Sequence, residues 1–276
     1  MAVDSSHNDP VVKTLAKIPG AEPSARMDPW WWLVGFVIFL IILLIVTSPD
    51  PYANMASYFV SGILITLEVT LISFAFTLVT ALAGALGRLS KNPLLRGIAT
   101  VYVEVIRGIP LLVQLFFWYF AFPTIIQGIG RSLNIDALAH YQADALLMAV
   151  FGLTLCYAAY MTEIYRAGIQ SISRGQMEAA RSLGMTYVQA MRYIILPQAA
   201  RVILPPVGNE FISMLKDSSL VSTVAIADLT RLGREYSGAH FIPLQVWSLV
   251  ALIYLVMTLF SARVVSWLER KTRIER

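Results

Sequence analysis

Five polar side chains recur at helical spacing inside an otherwise apolar stretch: Asn209, Glu210, Ser213, Lys216 and Asp217. At about 100° per residue they share roughly a third of a helix circumference. Lys216 and Asp217 carry opposite charges side by side, a pattern able to meet a ligand that bears both an amino and a carboxylate group. Glu68 and Glu163 lie in other apolar stretches and are natural partners for this stripe. A charge near the centre of a bilayer costs about 2.5–3.5 kcal/mol, so such groups pair with one another or line a wet path. Structural pairing accounts for them as well as ligand contact does. Covalent chemistry finds no comparable set. No nucleophile stands in a cluster with a base, no Cys/His spacing fits a metal, and the single cysteine, Cys156, sits in an apolar stretch. A Gly-x-x-x-x-Gly-Lys-Ser/Thr phosphate loop is also missing.

A membrane is the medium that would hold these groups. Of the 276 residues, 57% are hydrophobic and 14% are charged, against about 25% charged in an average soluble domain. The apolar residues fall in six segments, at about 30–46, 58–86, 100–122, 143–165, 202–227 and 244–267. Each covers a hydrocarbon core of about 30 Å as a helix. Helices satisfy every backbone group within their own segment, and the alternation a barrel needs is absent. The fold class is therefore all-α, a polytopic membrane protein with about six spans. The fifth segment is expected to be broken by Pro205, Pro206 and Gly208.

Residues 1–29, with Pro10, Pro19, Pro23 and Pro29, read as a flexible cytoplasmic tail, and no small-residue cleavage pattern follows Val46. Placing the N-terminus inside and alternating puts Lys13, Lys17, Arg26, Arg88, Lys91, Arg96, Arg166, Arg174, Arg181, Arg192, Arg201, Arg270, Lys271, Arg273 and Arg276 in the cytoplasm. Only Arg131, Arg231 and Arg234 then fall outside. This bias puts both termini in the cytoplasm. Glu163 with Arg166, and Glu104 with Arg107, are expected to anchor the entrance to the longest inner loop. His240 lies in an outer loop, and Trp30, Trp31, Trp32 and Trp267 read as interfacial anchors.

The inner loop, residues 171–197, reads as two short helices. Ser173 with Gln176 fits a capping box before Met177 to Leu183, Gly184 supplies a stop, and Thr186 with Gln189 fits a second box. Pro197 is expected to disturb the second helix as it nears the membrane. The first is too short to persist alone in water, so it docks on something.

The spacing Glu178-Ala179-Ala180, Gly184, Ile194, Leu196-Pro197 resembles the "EAA" loop of bacterial ABC importer permeases. Thr66-Leu67, Arg88-Leu89-Ser90, the run from Arg107 to Gln114, the run from Ala159 to Arg166 and Lys216-Asp217-Ser218-Ser219-Leu220 are similar to the polar amino acid uptake permeases. Ile109 stands where that family usually has Thr. The resemblance covers the chain from about residue 58, so 58–276 is the expected permease domain. Residues 30–57 are an added helix and outer loop.

What the resemblance implies is a type I importer permease fold in the cytoplasmic membrane. The loop would be a coupling helix seated on an ATPase subunit, carried by Glu178, Ala179, Ala180, Gly184, Ile194, Leu196 and Pro197. Glu68, Asn209, Glu210, Ser213, Lys216 and Asp217 would line the translocation path. The implied partners are ATP-binding cassette ATPases, a second permease of the same or similar sequence, an extracytoplasmic binding protein and an amino acid substrate. The chain itself would bind no cofactor, with ATP and magnesium on the partner ATPase, and would not be an enzyme. The alternative is a stand-alone secondary transporter or channel, where intramembrane charges and broken helices also occur.

Overall fold

The computed structural model describes residues 29–272, and every element among them is helical. The expected tail lies outside that range except for its last residue, as do Arg273 and Arg276 at the other end.

Helix α1, Pro29–Thr47, is uncharged along its 19 residues. Val34 and Val37 are buried against Leu252, Val256 and Leu259 from the far end of the chain. The Trp30 indole donates to the Leu259 carbonyl at 3.4 Å, and the Arg263 guanidinium stands 5.7 Å from the Trp31 ring. Phe36, Phe39 and Val46 remain exposed, a surface that suits lipid.

Helix α2, Pro49–Leu89, starts earlier than its apolar pattern indicated. One buried face is built largely from small or hydroxyl residues: Gly62, Thr66, Thr70, Ser73, Thr77, Ala81 and Ala85. Small residues at three- and four-residue steps let a second helix approach closely. From Ser73 onward that helix is α5, Ala145–Gln170, whose N-terminus is capped by the Asp144 carboxylate accepting from the Leu147 amide at 2.8 Å, whereas Gly62 and Thr66 lie against Leu229. The Thr154 hydroxyl donates to the Ser73 carbonyl at 3.3 Å, and the Thr162 hydroxyl to the Ala81 carbonyl at 3.3 Å. A Cβ at Gly84 would collide with Thr162.

The expected third segment, 100–122, is two helices. Helix α3 is Pro93–Gly108, and α4 is Leu111–Leu133 with a π turn at Phe117–Ala121. Pro110 forces Ile109 into an extended conformation (φ −110°, ψ 130°), and the helical ladder stops there. One further turn, Asp136–Ala139, precedes α5.

After α5 come α6, Arg174–Ser182, a turn at Tyr187–Ala190, a π turn at Met191–Ile195 and helix α7, Leu196–Asp217. The expected break at Pro205 and Pro206 does not occur, since α7 runs through both prolines. Gly208 is no breaker either; it makes room for Val265, with which a Cβ would collide. The disturbance expected at Pro197 appears just upstream as the π turn, which absorbs the missing amide donor.

A 3₁₀ turn, Ser218–Thr223, leads to α8, Leu229–His240, and then to α9, Pro243–Thr272. Helix α8 arises in what reads as a polar outer loop. The buried Asp228 carboxylate caps it, accepting from the amides of Thr230 at 3.1 Å and Arg231 at 3.0 Å. The Tyr254 hydroxyl of α9 also reaches Asp228, at 3.3 Å.

Among the described residues α1, α2, α4, α5 and α9 are long and apolar enough to cross a membrane. The polar arc keeps α7 from meeting that measure, and α7 instead packs between α5 and α9.

Candidate functional site

Two regions gather the residues that the sequence singles out. The first is the loop between α5 and α7. The Ser173 hydroxyl caps α6 by accepting from the Gly175 amide at 3.3 Å. The expected Ser173–Gln176 box is only half formed, because the Gln176 carboxamide oxygen accepts from Gln198 Nε2 at 3.4 Å instead. Helix α6 ends at Gly184, with φ of +84°. The Met185 amide donates to the Ala180 carbonyl at 3.1 Å and the Gly184 amide to Arg181 at 3.0 Å, which together make a Schellman motif. The second box is complete, with Gln189 accepting from the Thr186 amide at 2.8 Å and Thr186 accepting in return at 3.3 Å.

Glu178, Ala179, Gly184, Leu196 and Pro197 are exposed, Ile194 is half-buried and Ala180 is buried. Around them stands apolar surface that nothing among the described residues covers: Leu183 at 81% exposure, Val188 at 71%, Tyr193 at 61% and Tyr187 at 57%. An exposed apolar patch rimmed by charge marks an interaction surface. Above the loop, the Glu163 carboxylate joins Arg88 of α2 at 2.7 Å and Arg166 of α5 at 2.7 Å. Arg166 Nη1 also donates to Gln170 at 2.6 Å, and Arg88 stands 3.9 Å from Glu104. These pairs fix the end of α5 from which the loop hangs.

The second region is a cavity of about 420 Å³ over the break between α3 and α4. Arg107, Ile109 and Pro110 form one wall, and Tyr157, Tyr160, Glu210 and Asp217 the other. The Tyr157 hydroxyl donates to Asp217 Oδ2 at 2.7 Å. The Arg107 guanidinium lies 5.1 Å from the Tyr160 ring. The buried Gln114 side chain holds the break open, its Nε2 donating to the carbonyls of Ile106 and Ile109, each at 2.8 Å. Carbonyls at the end of α3 are thus satisfied, while Leu111, the first residue of α4, lines the opening and brings the positive end of that helix dipole beside it. The wall formed by α3 and α4 is positive and the wall formed by α5 and α7 is negative.

Of the six residues expected on a path, Glu210 and Asp217 line this cavity. Ser213 is half-buried, and Asn209, Lys216 and Glu68 are exposed, Glu68 on α2 away from the cavity lining. Arg107, expected beside Glu104 at the loop entrance, stands in the cavity wall. Sequence reasoning missed Tyr157, Tyr160 and the break itself. The signal for the break was present, since Gly108-Ile109-Pro110 interrupts an apolar segment with two residues that end helices.

Comparison with known proteins identifies what the chain is similar to. Residues 78–274 match the family model described as "Binding-protein-dependent transport system inner membrane component". The chain is 39% identical over 215 residues to the probable glutamine ABC transporter permease protein GlnM of Bacillus subtilis, covering 78% of this chain and 93% of that one. It is 35% identical over 215 residues to the glutamine transport system permease protein GlnP of Escherichia coli, with the same coverage of 78% and 93%. A crystal structure of an amino acid ABC transporter with histidines superposes with a TM-score of 0.70 at 38% identity, over 79% of this chain and 96% of that one.

Proposed function

Because the chain belongs to the family of binding-protein-dependent transport system inner membrane components, we propose that it is the membrane-spanning subunit of an ABC importer for a polar amino acid. The docking loop carries this reading. Leu183, Tyr187, Val188 and Tyr193 form an apolar surface on a basic loop whose two turns are capped from within, which fits a groove on an ATPase subunit better than it fits water. ATP and magnesium then sit on that partner, and this chain performs no hydrolysis of its own. A binding protein delivers the amino acid from outside, and a second permease, identical or similar, completes the passage.

The cavity over the helix break is where an amino acid would pass. Its carboxylate would meet Arg107 and the first amides of α4, and its ammonium would meet Asp217 and Glu210. A discontinuous helix that offers a dipole end to a polar substrate is a recurrent transporter device. Lys216, Asn209, Ser213 and Glu68, outside the cavity in the single chain, would face the second permease or the water between the two.

The experiment is co-purification followed by uptake. The chain brought down from membranes should carry an ATPase with it, and vesicles holding that complex should accumulate a polar amino acid only with ATP and a binding protein. Uptake driven by an ion gradient, with no ATPase bound, would establish the stand-alone transporter instead. Orientation has a separate test in a Cys156→Ser background. An impermeant thiol reagent added to intact cells should label Gly238→Cys, whose added side chain meets nothing within 4 Å, and leave Ser173→Cys unlabelled. The reverse pattern would put both termini outside.

A further inference from the structure

The seam between α5 and α7 joins the docking loop to the cavity. Tyr157, Met161 and Gly168 face α7 from α5, and Ile203, Val207 and Asp217 face them. At the outer end of the seam the Tyr157 hydroxyl holds Asp217 at 2.7 Å. Between the ends, Ala158 and Met161 pack on Val207 with no polar contact. At the inner end Gly168, two residues before α5 stops, is buried, and a Cβ there would collide with Ile203. Only a residue without a side chain brings the α5 backbone so close to α7.

The loop is bound to the same end of the seam from both sides. The Ser171 hydroxyl returns to the Gly168 carbonyl at 2.8 Å. Gln198, in the first turn of α7, donates to Ile194 at 2.9 Å and to Gln176 of α6 at 3.4 Å. A displacement of α6 therefore pulls on both helices together.

We infer that α5 and α7 move as one lever, with the docking loop at one end and Asp217 at the other, and that Gly168 is the positioning residue that closes the lever at the loop. Close-packed interfaces transmit a displacement and do not absorb it. The lever changes the cavity by moving Asp217 and Tyr157 relative to Arg107 on α3, without α5 sliding past α7. This inference rests on the reading of the loop as an ATPase dock, and the loss of ATPase from the unsubstituted chain would expose a failure of that reading separately.

The seam can be locked. A Cβ built at Gly168 lies 3.6 Å from the Ile203 Cβ, inside the roughly 3.5–4.5 Å that a disulfide requires. Gly168→Cys with Ile203→Cys, in the Cys156→Ser background, is assembled with its ATPase and binding protein in vesicles. A disulfide should form on oxidation, and the oxidised complex should import as much amino acid per ATP as the reduced one. Failure to form the bond, or uptake that stops on oxidation and returns with reductant, overturns the lever.

Should the cysteine pair fail to assemble, Ile203→Ala decides. It adds no atom and only loosens the inner end of the seam. ATPase binding should persist while amino acid imported per ATP falls about tenfold, within the range over which coupling contacts act. An unchanged ratio overturns the role of this contact.

Discussion

Within the docking loop almost every polar contact joins residues two to five apart in sequence: Ser173 to Gly175, Met185 to Ala180, Thr186 to Gln189. In the cavity the decisive bond, Tyr157 to Asp217, spans 60 residues, and its counter-charge Arg107 stands on a third helix. The loop is thus a local object, shaped by caps and one left-handed glycine and presented to something outside the chain. The cavity is a tertiary object that exists only when α3, α4, α5 and α7 have come together. A local object tolerates motion of the whole, whereas a tertiary one changes shape whenever its walls move. That division suits a machine in which one end receives force and the other changes its affinity for a ligand.

The largest effect expected from separating the two regions is at Gly184. With φ of +84°, aspartate there faces a left-handed penalty of about 1–2 kcal/mol and adds a charge to the docking surface. Gly184→Asp should leave the chain in the membrane, remove the ATPase from the purified complex and abolish ATP-dependent uptake. Normal uptake by this variant would break the loop's assignment.

Next is Asp217→Asn, which keeps an acceptor for Tyr157 and removes the charge. Hydrogen bonds to charged groups contribute about 1.5–3 kcal/mol, so uptake should fall at least about tenfold, with the ATPase still bound. If the ATPase is lost as well, the two regions are not separable in this way. Gln114→Leu leaves the Ile106 and Ile109 carbonyls without their donor, at a cost of about 1–3 kcal/mol. It should lower the melting temperature of the detergent-solubilised complex and slow uptake several-fold. An unchanged melting temperature would show that water serves the break equally well. The smallest effect is at Thr186→Ala, which loses one cap worth about 1 kcal/mol. It should weaken ATPase binding about fivefold, measured by titrating the ATPase onto the immobilised permease, and should leave amino acid imported per ATP unchanged.

The same division decides what could be read from the chain beforehand. Gly184 and the Thr186–Gln189 box were legible because their causes lie within a few residues. The long apolar stretches likewise marked the spans of α1, α2, α5 and α9. The third segment was misread where a proline overrode the apolar pattern at Ile109. Segment five was misread in the opposite sense, because tertiary packing against α5 and α9 carries α7 through Pro205 and Pro206. Within the polar arc, spacing alone selected a face but could not say which members would meet another helix. Glu210 and Asp217 reach the cavity while Asn209 and Lys216 do not. Tyr157 had no signal at all, as an aromatic residue in an apolar helix looks like lipid contact until Asp217 arrives beside it.

Helix α1 has a consequence for how the chain is made. Trp30 lies against Leu259, and Ile41 reaches the cluster of Met55, Phe59 and Val246 near the start of α9, so α1 and α9 run antiparallel. The first residue of α1 and the last of α9 thus emerge on the same face of the bilayer. Removing α1 would change the parity of crossings and leave the rest of the bundle with its ends on opposite faces. During synthesis α1 leaves the ribosome before α2. Helix α2 can then follow as the returning half of a hairpin. The helix that contributes least to either site is in this sense an instruction for insertion, executed before the residues of the docking loop have been translated.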